Sequence, residues 1–255
     1  MKLTFIGNGN MAQALIKGLV KHYEIEVLGR NEKSLKALQA SLPNISTKIL
    51  SNNEDITGKH IILCVKPYSL PDLGPKLIGE AETLYSVLAG TSLESLNAHI
   101  KAKQTVRAMP NLGAAHLKSM TTLTGDERLK ESALNIFNQI GKSLWLDSEN
   151  ELDIATGLAG SGPAYLALIA EALADGAVKQ GIKRPDAKVL VQGLFEGFAP
   201  LLAGENPADI KDGVMSPGGT TAAGYAALEK GNVRSAMMDA IADAYSKAKE
   251  LKAKN

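Results

Sequence analysis

Short apolar β-rich runs alternate with segments of helical period until about residue 150, where the strand signals stop, and this one change constrains the fold more than any motif does. Before it, strand candidates run over Leu3 to Ile6, Glu26 to Leu28, Ser46 to Leu50, Ile61 to Val65 and Leu84 to Leu88. Between the first two, Met11 to Lys21 places Met11, Leu15, Leu19 and Val20 on one helical face. Strand, helix and strand in repetition predict a parallel sheet with helices on both sides, an α/β doubly wound arrangement. Further runs, "TVRAM", "SMTTL" and "SLWL", extend that sheet in a pairing direction that the pattern leaves open. Trp145 in the last of them reads as an apolar strand residue.

Beyond the change, residues 152–255 contain 22 alanines, and apolar positions recur at three and four. "GPAYLALIAEALADGAVKQGI" reads as one helix with Pro163 in its first turn and Gly181 past its end. "RPDAKVLVQGLFEGFAPLL" begins likewise with Pro185, and "VRSAMMDAIADAYSKAKEL" closes an all-α C-terminal part. Ala and Gly at would-be core positions let helices approach closely, yet each buries little area, at about 25 cal/mol per Å². Such a bundle calls for another subunit to complete its core. The boundary falls at "DSENELD", where Asp147 or Ser148 could cap a helix, and divides the chain into residues 1–150 and 151–255.

Composition narrows the function classes. A formal charge of +1 without a long Lys/Arg run argues against nucleic acid and anionic membrane as partners. The one cysteine, Cys64, cannot form an intramolecular disulfide and suits a reducing cytoplasm; within "HIILCVKP" it reads as a buried small hydrophobe. No run of about 18 consecutive apolar residues and no signal-peptide pattern is present, so no membrane span is expected. His22, His60, His99 and His116 lack metal-ligand spacing and read as surface or turn residues, with no metal expected. Without HExxH, CxxC or GxSxG, hydrolytic and metal-dependent chemistries lack their usual instruments. What remains is cofactor chemistry, which asks the protein for positioning, shape and a proton source.

In "KLTFIGNGNMAQALIKGL" two glycines stand where an apolar run ends and a helical run begins. One reading is a phosphate-binding turn: Gly7 makes the tight turn, Gly9 admits a pyrophosphate to the backbone, and Ala12 packs helix on strand. The other is an ordinary strand-to-helix turn. A dinucleotide site that prefers NAD carries an acid about 20 residues further on. Here Leu28-Gly29-Arg30-Asn31 offers a guanidinium suited to the 2′-phosphate of NADP. Loops at "SNNED", "VKP", "AG" (89–90) and "MPN" also follow strands, where an open parallel sheet binds its ligands, although their residues equally suit plain turns. Ser216-Pro217-Gly218-Gly219-Thr220-Thr221 presents backbone N–H groups and hydroxyls to a carboxylate at a helix entrance, or is a helix cap with Ser216 or Thr220 as N-cap.

Together "FIGNGNMAQALIKGL", "CVKP", "AMPN", "GLAGSGPAYLALIAEALADGAVKQG" and "VMSPGGTTAAGYAALEKG" resemble the pyrroline-5-carboxylate reductases nearly end to end. The resemblance implies reduction of 1-pyrroline-5-carboxylate to L-proline with NADPH, NADH being possible. It also implies an N-terminal Rossmann-like domain and a helical domain that interlocks with its twin, as a homodimer or an oligomer of dimers. Carried over, the cofactor lies against Ile6, Gly7, Asn8, Gly9, Asn10, Met11, Ala12, Arg30, Asn52, Val65, Lys66, Pro67, Ala89 and Gly90. The substrate meets Met109, Pro110, Asn111 and Ser216 to Thr221, with the Thr221 hydroxyl at the imine nitrogen as the catalytic contact. "MPNLGA" departs from the family's usual MPNTPA, and Ala159 stands where Ser is common. Two other readings stay open. A two-domain NADP reductase of the hydroxyacid or ketopantoate type would need a helix lysine, for which the first long helix offers only Lys179. The second is a non-catalytic cofactor-binding regulatory protein.

Overall fold

The computed structural model describes residues 1–252. Eight strands form one sheet: β1 (Lys2–Ile6), β2 (Glu24–Gly29), β3 (Ile45–Ile49), β5 (His60–Leu63), β7 (Thr83–Ser86), β8 (Thr105–Met109), β9 (Ser119–Gly125) and β10 (Gly141–Trp145). Two two-residue strands, β4 (Glu54–Asp55) and β6 (Leu77–Ile78), pair separately. The sheet order is β10-β9-β8-β7-β5-β1-β2-β3. Helices α1 (Asn10–Leu19), α2 (Glu32–Ser41), α3 (Leu70–Leu73), α4 (Leu93–His99) and α5 (Lys130–Phe137) occupy the connections.

The inner strands carry continuous apolar runs because helices cover both sheet faces, and successive residues feed opposite cores. Phe5, Val27 and Ile62 join one cluster with Leu15, Leu19 and Phe137, whereas Ile6, Leu28, Ile61 and Leu63 join another with Leu84 and Leu96. The direction that the pattern left open follows from connection length. Between β8 and β9 there is only a short 3₁₀ turn, Leu112–His116, with no crossover helix, and the two strands pair antiparallel. Between β9 and β10 lies α5, and that pair is parallel. Trp145 is buried at the end of β10, its indole N–H donating to Glu127 Oε1 at 2.9 Å.

After residue 148 the chain is helical: α6 (Glu149–Ala155), α7 (Gly162–Lys179), α8 (Arg184–Gly204), α9 (Pro207–Val214), α10 (Thr220–Lys230) and α11 (Val233–Lys252). Ser148 is the N-cap of α6, accepting from Glu151 N at 3.2 Å. α6 runs into a π-helical turn at Thr156–Gly160, closed by Ser161 N donating to Thr156 O at 2.9 Å, and α7 begins at Gly162. Pro163 lies in the first turn of α7, as the sequence pattern leads one to expect. A proline is tolerated there because the first-turn amides of a helix have no intrahelical acceptor.

By compactness one unit comprises Met1–Ser161 together with the chain from Ile241 on, and the other Gly162–Ala240. Within the first unit α6 packs on β9. Within the second unit α7 and α8 pack together across a turn at Gly181, whose φ of +109° suits glycine. The apolar residues buried there are Ala174, Ala187 and Ile210 alone. The helical run Glu149–Lys179 is long and apolar enough, by length and composition, to cross a membrane, with 17% of its window buried. The expectation of no span rested on consecutive apolar residues, whereas here alanines, leucines and isoleucines raise the average between charges.

Candidate active site

The loops after β1, β2, β3, β5, β7 and β8 share one edge, because these strands are all parallel. From β1 the chain builds outward through β2 and β3 on one side and through β5, β7 and β8 on the other, so the topological switch point lies between β1 and β5. Gly7 sits there with φ of +106°, its N–H donating to Leu28 O at 2.8 Å. A Cβ on Gly7 would stand 2.5 Å from the Cys64 carbonyl oxygen, which leaves no room for a side chain. Gly9 is the opposite case: a Cβ there meets nothing within 4 Å.

Gly9 is also the N-cap of α1, which has no side-chain cap and no acid in its first turn. The amides of Asn10, Met11 and Ala12 are thus the unpaired donors of a helix amino end opening on empty space, the chemistry a pyrophosphate needs. This cradle fits a dinucleotide. Ile6 and Ala12 are buried beneath it and shape it from within. Asn8 reaches sideways, its Nδ2 donating to Ser34 Oγ at 2.7 Å.

Arg30 follows β2, exposed and without an ion pair among the described residues. Beside it Asn31 caps α2, accepting from Ser34 N at 3.0 Å, and Ser34 Oγ donates back to Asn31 O at 3.0 Å. Ser34 was missed from sequence, although a capping Asn three residues before a Ser was a readable sign. Asn52 is exposed in the turn after β3, where Asn53 has φ of +61°. Lys66 is exposed after β5, where Val65 and Pro67 are half-buried, and its carbonyl accepts from Ser69 N and Oγ. Ala89 is exposed after β7 and Gly90 is buried with φ of +64°. Cys64 packs against the core, and burial pushes its thiol pKa up, which makes it a poor nucleophile.

At the end of β8, Met109 and the following Pro110 are buried, and Asn111 acts as a clamp. Its Nδ2 donates to Ala159 O at 2.9 Å, its Oδ1 accepts from Gly113 N at 3.0 Å, and its own N–H donates to Ser119 Oγ at 3.1 Å. The Ala159 carbonyl is the one that an ordinary helix would satisfy from position 163, which is a proline. Asn111 supplies the missing donor. Sequence reasoning places Asn111 at the substrate, and in the structure its side-chain amide also holds the π turn.

Also unforeseen was a charged cluster beneath this edge. Arg107, on β8 and 1% exposed, donates from Nη1 to Glu149 Oε1 at 2.7 Å and from Nη2 to Asp153 Oδ1 at 2.8 Å. The alternating sheet pattern hides such a residue, because "TVRAM" reads as apolar apart from it.

In the helical unit, Ser216 to Thr221 form the turn into α10. Gly218 has φ of +69°, Gly219 is the N-cap, and Gly219 N donates to Ser216 O at 3.0 Å. Neither Ser216 nor Thr220 caps the helix; α10 has no side-chain cap and no acid in its first turn. The hydroxyls of Thr220 and Thr221 make no hydrogen bond among the described residues, so they are available to a ligand. A Cβ at Gly218 would meet nothing within 4 Å, while one at Gly219 would strike Ser216 Oγ.

A doubly wound sheet with a bare phosphate cradle at its switch point, followed by a helical region, defines a nicotinamide-dinucleotide oxidoreductase of the Rossmann type. Residues 149–251 match the family described as pyrroline-5-carboxylate reductase dimerisation, and residues 2–90 match the one described as NADP oxidoreductase, coenzyme F420-dependent. Among curated relatives, the pyrroline-5-carboxylate reductase of Helicobacter pylori strain J99 is 34% identical over 96% of this chain and 98% of its own. That of Thermus thermophilus is 33% identical over 98% of each. Solved reductases from Coxiella burnetii and Streptococcus pyogenes superpose with TM-scores of 0.85 and 0.84, at 29% and 31% identity and 98% coverage of this chain; 97% and 98% of those chains are covered. One from Plasmodium falciparum, solved with NADP bound, has a TM-score of 0.81 at 26% identity, over 99% of this chain and 98% of its own. The chain belongs to the pyrroline-5-carboxylate reductase family.

Proposed function

We propose that this protein reduces 1-pyrroline-5-carboxylate to L-proline with NADPH, the last step of proline biosynthesis. The observation that carries the geometry is the bare amino end of α1 beside Gly9 at the sheet's switch point. In this reading residues 1–150 bind the cofactor and residues 151–255 dimerise and bind substrate. When bound, NADPH supplies a hydride from C4 of its nicotinamide to C5, the imine carbon of the cyclic substrate. The pyrophosphate is held by the amides after Gly9, the 2′-phosphate by Arg30 and Ser34. Asn52, Val65 to Pro67 and Ala89-Gly90 complete the wall. The backbone and hydroxyls of Ser216 to Thr221 hold the substrate carboxylate, and the Thr221 hydroxyl bonds the ring nitrogen. That nitrogen arrives protonated from water, so the site needs no titrating acid and contributes orientation.

The family's dimerisation region supports a homo-oligomer, and we assign it as a homodimer or an assembly of dimers in the cytoplasm. The exposed apolar faces of α7 and α8 are then subunit contacts rather than lipid contacts. Loss of NADPH absorbance on adding 1-pyrroline-5-carboxylate, with proline identified as product, tests the activity. Absence of turnover by a folded dimer that binds NADPH refutes it.

A further inference from the structure

The last turn of α11 lies against the edge of the sheet that carries the proposed cofactor loops. A Cβ on Gly90 would stand 2.9 Å from Leu251 Cβ, so backbone and helix end are in close contact just past β7. The next residue, Lys252, brings Nζ to 3.8 Å from Glu149 Oε2 and 3.7 Å from Asp153 Oδ2. Those two carboxylates are the ones that hold buried Arg107. Glu149 Oε1 does double duty: besides Arg107 it accepts the N–H of Leu93, the first residue of α4, at 3.0 Å.

These contacts form a chain from the C-terminal helix to the loop after β7. Arg107 faces two carboxylates, an excess of one negative charge in a cluster whose Arg107 and Asp153 are buried while Glu149 reaches its edge. An unbalanced buried charge is costly, and Lys252 supplies the balance. With Lys252 in place, Glu149 can keep one oxygen on Arg107 and the Leu93 amide, which fixes the start of α4 and the Ala89–Ser92 segment before it. The contacts also explain why the compact sheet unit reclaims the chain from Ile241 on.

We propose that the C-terminal turn of α11 is a strap that positions the cofactor loop after β7, with Lys252 as a positioning residue acting through Glu149. The inference rests on the proposed function for its view that Ala89 and Gly90 line the cofactor. The strap sets the shape of the cleft wall after β7 without touching the cofactor, so its loss weakens cofactor binding and leaves the chemical step.

The test compares the full-length wild type with Lys252→Met and Lys252→Arg. For Lys252→Met we expect NADPH dissociation constant and KM to rise roughly three- to tenfold, with kcat and the KM for substrate within about twofold. Amide exchange of residues 89–96 in the cofactor-free protein should accelerate. Lys252→Arg should restore both. Unchanged NADPH affinity and unchanged exchange at 89–96, with only a lower Tm or a weaker dimer, would overturn the strap. Because NADPH binding and amide exchange are read without substrate, a wild type that binds NADPH yet fails to form proline would refute the proposed activity while leaving the strap standing.

Discussion

The sheet unit and the helical unit solve the problem of burial in different ways. In the first, Leu3, Phe5, Leu15, Ile16, Leu19, Val27, Ile61, Ile62, Leu63 and Leu84 are all wholly enclosed, and helices cover both sheet faces. In the second, Leu166, Leu168, Val189, Leu190, Leu194, Phe198 and Leu202 lie exposed, and a groove of about 750 Å³ opens beside Ala170, Ala174, Val191 and Phe195. The sheet supplies its own core within one chain; α7 and α8 present an interior without a lid. Faces this apolar are finished by another subunit, and obligate interfaces of this kind remove about 2,000 Å² or more from water.

The largest effect should come from breaking that completion. The double variant Leu190→Glu with Leu194→Glu puts two charges one turn apart on α8. We expect sedimentation as a monomer and loss of essentially all turnover, with NADPH binding kept because the sheet needs no second copy. A fully active folded monomer would abolish the contrast between the units.

Within the sheet unit the contrast sharpens between two glycines. Gly7→Ala forces a side chain into positive φ and against the Cys64 carbonyl, and should cost about 2 to 3 kcal/mol of stability together with cofactor binding. Gly9→Ala, at φ of −70° beside open space, should leave Tm unchanged while weakening NADPH binding. Equal losses of Tm would show that the Gly9 space belongs to the fold and not to a ligand.

The sheet was legible because periodicity and burial agree there: the strands at Leu3, Ile61 and Thr105 are apolar in sequence because both faces are covered. The phosphate turn was legible because glycine's permissiveness is a property of the residue itself. Arg107 was not, because a lone charge in an apolar strand gains meaning only from Glu149 and Asp153, more than forty positions away. The π turn escaped for a similar reason. Pro163 marks the start of α7 by local rule, but nothing local announces that the Ala159 carbonyl in the turn before it is held by the distant Asn111 amide.

A smaller effect separates the two cofactors. Arg30→Ala should weaken NADPH binding by about 1.5 to 3 kcal/mol, the worth of a charge-assisted hydrogen bond, and leave NADH nearly unaffected. The sheet unit would then hold the 2′-phosphate through Arg30 and Ser34. Ser34→Ala should move the same preference in the same direction by less, since it removes one neutral hydroxyl and loosens Asn8. Equal losses for both cofactors would place Arg30 outside the site.

The smallest expected effect concerns the helical unit's own chemistry, and it asks whether that unit does more than dimerise. Thr221 lies in the first turn of α10, where Gly219 is the N-cap and no side chain caps the helix. Its hydroxyl therefore has no structural duty that the fold would miss. Valine is nearly isosteric, keeps the β-branch and removes only the hydroxyl. Thr221→Val should thus leave Tm and the dimer unchanged and lower kcat/KM for 1-pyrroline-5-carboxylate roughly tenfold to a hundredfold. A hydrogen bond that strengthens as the ring nitrogen becomes an amine should lower kcat; one made equally to bound substrate should raise KM instead. Thr221→Ser, which retains the hydroxyl, should recover most of the rate. Full activity in the valine variant would confine the helical unit to assembly and to carboxylate binding through the Gly218-Gly219 backbone.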